Sequence, residues 1–263
     1  MKTCVLSIAA EFEKPYWREW AKWHHDIGFD DIWIITNNWD LDEPVPNYVK
    51  TYRRDGEAMQ LRVYNEWMEH EAKHYDWAFV CDLDEFLYMP FDMKDWLLER
   101  MKDCHSIGIP WIHFGDGGAG TPTSGSVIDR FTKCEGVYNR HVKPFVNLRT
   151  LSANLVMFVN PHFACVTILN KLAWVPWMDI FGNPMTGPYN KFEGKPLDSS
   201  KPFIAHYYVK TLDEWRKRRG PQHMRADSRQ FVSEDWFYRE NHNEVECRLL
   251  KDFRTPGTWQ FGQ

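Results

Sequence analysis

Hydrophobic positions along the first part of the chain fall in blocks whose period switches between strand and helix. An apolar run from the N-terminus to about Ala9 has strand length. Pro15 then opens a segment in which Trp17, Trp20, Ala21, His24 and Ile27 recur at helical spacing, and Gly28 ends it. In the pair His24-His25 this spacing turns one ring to the core and the other to solvent. Asp31 to Thr36 is apolar on both faces, as expected of a strand covered by helices on each side, and stops at the turn-forming Asn37-Asn38. Tyr48 to Arg53 reads as a third strand, and about Glu57 to Lys73 as a helix carrying Val63, Tyr64, Trp67 and Met68. A further apolar run, Trp77 to Leu87, contains Asp82-Leu83-Asp84-Glu85. The order β-α-β-loop-β-α-β predicts an α/β fold, a mostly parallel mixed sheet flanked by helices.

Beyond this, Asp92 can cap a helix through about Asp103, and Ser106 to Phe114 reads as a strand leading into the glycine run Gly115 to Gly120. The run is not a phosphate-binding P-loop, since no Gly-Lys-Ser/Thr follows. Short apolar runs alternate with turns from Ser126 to Thr167, and a Pro/Gly/Asn-rich loop spans Pro176 to Pro202. From Thr211 the chain is polar and helical, with a basic run Arg216-Lys217-Arg218-Arg219. No repeat or low-complexity linker interrupts it. The expectation is one domain over residues 1–210 with a helical extension, 211–263, packed on it.

In an extended chain residues i and i+2 project from one face, so Asp82 and Asp84 can address one ligand together. Two carboxylates past the end of a buried strand suit a hard divalent cation, which can in turn hold a diphosphate. Ligands on parallel α/β sheets bind beyond the carboxyl ends of the strands, where Asn37, Asn38, Asp82 and Asp84 all fall. The plainer alternative is an acidic pair capping the next helix.

Composition narrows the classes. A net charge of −5 lacks the basic footprint that duplex nucleic acid favours. Fourteen tryptophans exceed what packing demands; core packing accounts for most, and stacking on sugar faces is the functional alternative. Six cysteines without any CxxC spacing read as reduced, buried thiols. With no apolar stretch of spanning length and no N-x-Ser/Thr sequon, a cytoplasmic protein is expected. The basic run reads as a solvated helix face, with peripheral contact to an anionic membrane or lipid-diphosphate acceptor as the alternative. His70-Glu71-Ala72-Lys73-His74 matches the His-Glu-x-x-His pattern of zinc proteases, but lies at the polar end of its helix with no third ligand at short spacing.

Val5 to Ala10, Glu13, Trp17-Arg18-Glu19-Trp20, His24-His25, Gly28-Phe29-Asp30, Thr36-Asn37-Asn38, Gln60, Tyr64-Asn65 and Trp77 to Leu87 occur in an order that resembles the glycosyltransferase 2-like and family 92 group. The resemblance continues through Trp111 to Gly115, Val142-Lys143-Pro144, Pro161-His162-Phe163 and His206 to Thr211, as far as Gly220. It implies the GT-A fold, with a nucleotide-sugar half over about residues 1–90 and an acceptor half over about 91–210. It also implies that Asp84 ligates Mn²⁺ or Mg²⁺, that Asp82 contacts the ribose or the metal, and that Glu85 helps to set the site. His206 falls where a third metal ligand often stands, a backbone-bonded histidine being the plain alternative. Ala10, Glu13, Asn37, Gln60 and Asn65 are placed at the nucleotide pocket, and Lys210 where it balances phosphate charge. One departure is Glu11-Phe12-Glu13, where relatives usually carry Lys/Arg-Asn-Glu.

The implied function is metal-dependent transfer of a sugar from a nucleotide-diphosphate donor, a UDP-sugar favoured, to a glycan hydroxyl, with inversion. Inversion needs a carboxylate that takes the acceptor proton. Asp116 is the first candidate, although relatives often have serine there and a turn aspartate bonding its own backbone is the alternative; Glu234 and Asp235 are second candidates. A catalytically inactive glycan-binding protein on the same fold is the rival class.

Overall fold

The apolar N-terminal run becomes the central strand of the sheet, because both of its faces can be buried. In the computed structural model, which describes residues 1–102, 104–119, 124–150, 156–168, 171–173, 177–219 and 233–253, that strand is β1, Thr3–Ala10. It is followed by α1 (Trp17–Asp26), β2 (Asp31–Asn37), β3 (Val49–Arg54), α2 (Gln60–His70), β4 (Trp77–Val80), β5 (Glu85–Tyr88), α3 (Met93–Arg100) and β6 (Ser106–His113). Then come α4 (Val127–Arg130), β7 (Lys133–Cys134), β8 (Val142–Asn147), β9 (Val156–Asn160), β10 (Phe163–Ile168), β11 (Lys171–Ala173), β12 (Trp177–Asp179), β13 (Pro184–Met185) and β14 (Phe203–His206). The C-terminal part holds α5 (Leu212–Arg219), α6 (Glu234–Glu240), β15 (Val245–Glu246) and α7 (Leu249–Phe253). Gly120, Pro176 and Gly220, which bound three of the segments read from the sequence, lie outside the described residues.

The main sheet runs β13-β12-β6-β8-β4-β1-β2-β3, with β14 pairing β5 and β6. β1, β2, β3 and β4 are mutually parallel, so their carboxyl ends open on one side. Alternation assigns the two faces. Val5, Ile32, Ile34, Trp77 and Phe79 pack with the aromatic residues of α1 and with Met93, Trp96 and Leu97 of α3. Cys4, Leu6, Ile35, Ala78 and Val80 pack with Val63, Tyr64, Trp67 and Met68 of α2. This is the flanked α/β arrangement that the periodicity predicts, a mostly parallel mixed sheet with helices on both faces. Among the described residues ten tryptophans are buried, so most of the fourteen serve the core. All six cysteines are buried, and none forms a disulfide.

Several boundaries differ from the sequence reading for local reasons. α2 starts at Gln60 rather than near Glu57, because Gly56 (φ 127°) and Ala58 (φ 52°) hold the chain in left-handed conformations. The Pro176–Pro202 stretch is not wholly irregular: β12 and β13 lie in it, and β12 extends the main sheet alongside β6. The largest difference concerns the acidic pair. β4 stops at Val80, and Asp82-Leu83-Asp84 forms a turn closed by Glu85 N–H donating to the Asp82 carbonyl at 3.0 Å. Asp82 and Asp84 are therefore not successive same-face positions of a strand.

α1 is fixed to β5 through its indoles: Trp20 Nε1 donates to the Glu85 carbonyl and Trp23 Nε1 to the Leu87 carbonyl, both at 2.8 Å. His24 belongs to the same contact and is fully buried, while His25 is exposed, as the spacing predicts. Its Nδ1 lies 2.9 Å from the Trp20 carbonyl and its Nε2 accepts from Leu87 N–H, which makes it neutral with the proton on Nδ1. Burial pushes its pKa down to about 3. The unfolded chain therefore takes up a proton below the ordinary value near 6.5 while the native ring does not. Stability is expected to fall by about 1.4 kcal/mol per pH unit as pH drops from roughly 6.5 towards 3. Acid titration of chemical-denaturation midpoints should show this loss reduced in His24→Phe; an unchanged acid limb would contradict it.

Candidate active site

β14 brings the site together. It runs antiparallel to β5 and parallel to β6, and the register sets His206 beside Glu85 on one flank and His113 on the other. His206 Nε2 lies 3.7 Å from Asp84 Oδ2 and 3.9 Å from Glu85 Oε1. All three residues are buried, and one ligand atom from each lies within 4.8 Å of the others. Asp84 Oδ1, Glu85 Oε1 and His206 Nδ1 are buried without a hydrogen-bond partner among the described residues. Such unsatisfied atoms are costly unless something binds them.

Around this group stand two further acids, Asp82 and Glu13, and three cations. Lys143, on β8, is fully buried, with Nζ 3.0 Å from Asp82 Oδ2 and 3.5 Å from Glu85 Oε1. Arg218, on α5, donates through Nη1 to Asp84 Oδ2 and at 3.1 Å to the Tyr208 carbonyl. Lys210 is buried, has its backbone at φ 53° and sets Nζ 4.8 Å from the centroid of the Tyr16 ring. A non-glycine residue in that region is uncommon and marks a position held by its surroundings. Glu13 Oε2 accepts from Ala10 N–H at 2.8 Å at the end of β1.

Electrostatics separates these carboxylates. Burial works to raise Asp84, but Arg218 and His206 outweigh it and hold the group well below the usual carboxylate range. At Asp82 burial is likewise outweighed, by Lys143, and the net direction is down. Burial prevails at Glu85, which is pushed well above the ordinary value, and at Glu13, raised to about 7 by burial and the Asp84 charge. Burial lowers His206 to about 4, so its imidazole is neutral at neutral pH, the form that ligates metals.

The residues singled out in the sequence are thus partly assembled. Asp84, Glu85 and His206 converge. Asp82 stands beside them with its oxygens engaged by Gln60 Nε2 (2.8 Å) and Lys143, so it is outside the converging set of donor atoms. Gln60 reaches the site from the start of α2. Asn65 does not: its amide clamps the Phe158 backbone of β9 from both sides, at 3.1 and 2.7 Å. Asn37 donates to the Arg54 and Gly56 carbonyls and fixes the loop after β3. Asp116 adopts the turn alternative, its Oδ1 accepting from Gly118 N–H at 2.8 Å and from Asn243 Nδ2 at 3.2 Å. Glu234 and Asp235 are exposed on α6, Glu234 pairing with Arg216 at 2.7 Å. α2 ends at His70 and a separate tight turn holds Ala72–His74, so the two histidines of the protease-like pattern do not share one helix face.

Two site residues escape the sequence reading. Lys143 enters the sequence reading only as part of Val142-Lys143-Pro144, yet a lysine inside the apolar run Val142 to Val146 signals a buried cation needing a carboxylate. Arg218 belongs to the basic run that the sequence assigns to a solvated face. Arg216 fits that reading, pairing with Asp213 and Glu234 at the surface, but Arg218 turns inward onto Asp84.

Beside the cluster, past the end of β1, lies a cleft of about 420 Å³ lined by Phe12, Lys14, Tyr16, Tyr208, Lys210, Lys217 and Arg218 among others. No helix of the described residues is long and apolar enough to cross a membrane.

No protein-family model matches the chain, and no curated protein matches it in sequence. Among solved structures it is similar to HddC from Yersinia pseudotuberculosis, with 12% identity, a TM-score of 0.31, and coverage of 56% of this chain and 74% of that one. It is also similar to a putative glucose-1-phosphate thymidylyltransferase from Bacillus anthracis in complex with a sucrose, with 9% identity, a TM-score of 0.32 and coverage of 48% and 62%. S. aureus TarS 1–349 matches with 15% identity, a TM-score of 0.38 and coverage of 60% and 50%. The chain thus spans less than two thirds of the latter two. The chemistry of the site rests on this chain's own residues.

Proposed function

We propose that this protein is a metal-dependent glycosyltransferase that moves a sugar from a nucleotide-diphosphate donor, a UDP-sugar favoured, to a glycan hydroxyl with inversion. The observation that carries this is the cationic, aromatic-lined cleft beyond the carboxyl end of β1, directly beside Asp84, Glu85 and His206. Lys14, Lys210, Lys217 and Arg218 suit the oxygens of a diphosphate. Phe12, Tyr16 and Tyr208 offer ring faces to a base or sugar. The positive charge that Glu11-Phe12-Glu13 lacks is thereby supplied from Lys14 and the C-terminal side.

Two buried carboxylates with unpartnered oxygens and a neutral imidazole fit a hard or borderline divalent ion such as Mn²⁺ or Mg²⁺. When bound, such an ion would stabilise the charge that develops on the departing nucleoside diphosphate. Lys210 and Arg218 act on the same charge from the cleft wall, and Asp82, held by Gln60 and Lys143, is the further acid offered to the ribose or the metal. Asp116, its carboxylate oriented by Gly118 and Asn243, is proposed as the base that takes the acceptor proton. Glu234, committed to Arg216 at the surface, and Asp235 remain secondary.

A thermal-stability screen of nucleotide-sugars with and without Mn²⁺ tests the proposal. At a hundredfold excess over Kd the matching donor is expected to raise Tm by roughly 5–10 °C only with the metal present, and to be slowly hydrolysed. Stabilisation by glycans without donor binding or hydrolysis would favour the inactive glycan-binding protein. No response to any nucleotide would overturn the donor reading.

A further inference from the structure

The register that sets His206 beside Glu85 also sets it beside His113, and on that side stands a second group of metal-ligating side chains. His113, Glu240 and His242 each offer one ligand atom within 4.8 Å of the others. His113 ends β6, while Glu240 ends α6 and His242 lies just beyond it. His113 is about nine-tenths buried, at 6% exposure, and neither of its ring nitrogens makes a hydrogen bond of sound geometry among the described residues. Its Nδ1 lies 3.3 Å from Glu240 Oε2.

The surroundings are those of a cation site. Ligating histidines are usually oriented by outer carboxylates. Here Glu244 Oε1 lies 3.1 Å from His242 Nδ1, leaving Nε2 of that ring for an ion. Glu135 Oε1 accepts from the backbone N–H of His113 at 2.7 Å and adds a carboxylate behind it. The two halves of the group are already docked. Asn241 Oδ1 accepts from Asp116 N–H at 2.7 Å and Asn243 Oδ1 from Gly117 N–H at 2.8 Å. Gly115 passes so near that a Cβ there would stand 2.3 Å from the His242 carbonyl.

We propose that His113, Glu240 and His242 form a second cation site, for a borderline divalent ion of the Zn²⁺ class, joining the end of β6 to the segment after α6. Two imidazoles and one carboxylate are a zinc-type donor set, and at bond lengths of about 2.0–2.2 Å the three donor atoms, which lie within 4.8 Å of one another, would draw together around the ion. The site is separate from the Asp84, Glu85 and His206 cluster, although the His113 and His206 rings are 5.1 Å apart. It does not rest on the glycosyltransferase reading. An ion there would hold the loop bearing Asp116 against the C-terminal segment.

Equilibrium dialysis against Zn²⁺ alone, followed by elemental analysis, tests this in an Asp84→Asn background that weakens the neighbouring cluster. One tightly held zinc per chain is expected in Asp84→Asn, and none in Asp84→Asn/His242→Ala or Asp84→Asn/Glu240→Gln. Both second-site side chains are partly exposed, so circular dichroism should show the fold retained, and the second double variant stands in if the first does not fold. Glu244→Gln is expected to weaken zinc about tenfold or more. Co²⁺ in place of zinc should give visible absorption bands in Asp84→Asn that His242→Ala removes. Absence of tight zinc in Asp84→Asn, or zinc retained at full stoichiometry in folded His242→Ala and Glu240→Gln double variants, would overturn the proposal. Failure of Mn²⁺-dependent donor binding would leave this result untouched, so the two readings fail separately.

Discussion

Asp84→Asn is expected to lower kcat/KM for sugar transfer by at least about 100-fold and to abolish the Mn²⁺ dependence of nucleotide affinity. Asp84 contributes to the cluster with Glu85 and His206 a buried oxygen without a hydrogen-bond partner among the described residues, and Arg218 and His206 favour its charged form. The amide preserves shape but removes the charge that attracts a divalent ion. Nucleotide affinity measured without metal should persist, because Lys14, Lys210 and Lys217 line the cleft as well as Arg218, which pairs with Asp84. Calorimetric titration with the preferred nucleotide, with and without Mn²⁺, reads both arms. Equal metal dependence in wild type and variant would remove Asp84 from the site.

Lys143→Met is expected to cost about 3–5 kcal/mol of stability, the range for a buried ion pair deprived of one partner. At 2–4 °C per kcal/mol this is a fall in Tm of roughly 6–20 °C. The ammonium is fully buried against Asp82 and Glu85, and burial, which disfavours its charge, is outweighed by these acids, so its pKa is raised. Without it Glu85 has, among the described residues, no cation within ion-pair distance except His206 in its charged form. Adding Glu85→Gln to Lys143→Met should recover part of the loss, with a coupling of about 0.5–3 kcal/mol in denaturant unfolding. Strictly additive losses would show that Lys143 is not held there by Glu85.

The strands and helices around the site were legible because burial leaves a periodic trace. β1, β2 and β4 carry two-sided apolar runs, and α1 and α2 carry their indoles at helical spacing. Asp84, Glu85 and His206 were legible as residue types in an ordered series of motifs, and Gln60 with them. Asn65 was not distinguishable from a ligand-binding amide, since nothing local shows that β9 runs past its side chain. Arg218 was hidden for the reverse reason: a basic run on a polar helix looks solvated until a buried carboxylate is placed against one member of it.

By itself the sequence determined the alternation of elements, the covered sheet and the acids at the end of its fourth strand, because these depend on hydrophobic period and on residues close in the chain. Only the tertiary structure decided how those acids are shared. β4 ends at Val80, the chain turns through Asp82-Leu83-Asp84, and β14 arrives from more than a hundred residues away to set His206 between Glu85 and His113. The pairing of Asp82 with Lys143 and of Asp84 with Arg218 follows from strand register and helix placement. A buried charge is neutralised by whatever the fold brings within a few ångströms, and local sequence carries no record of that neighbour.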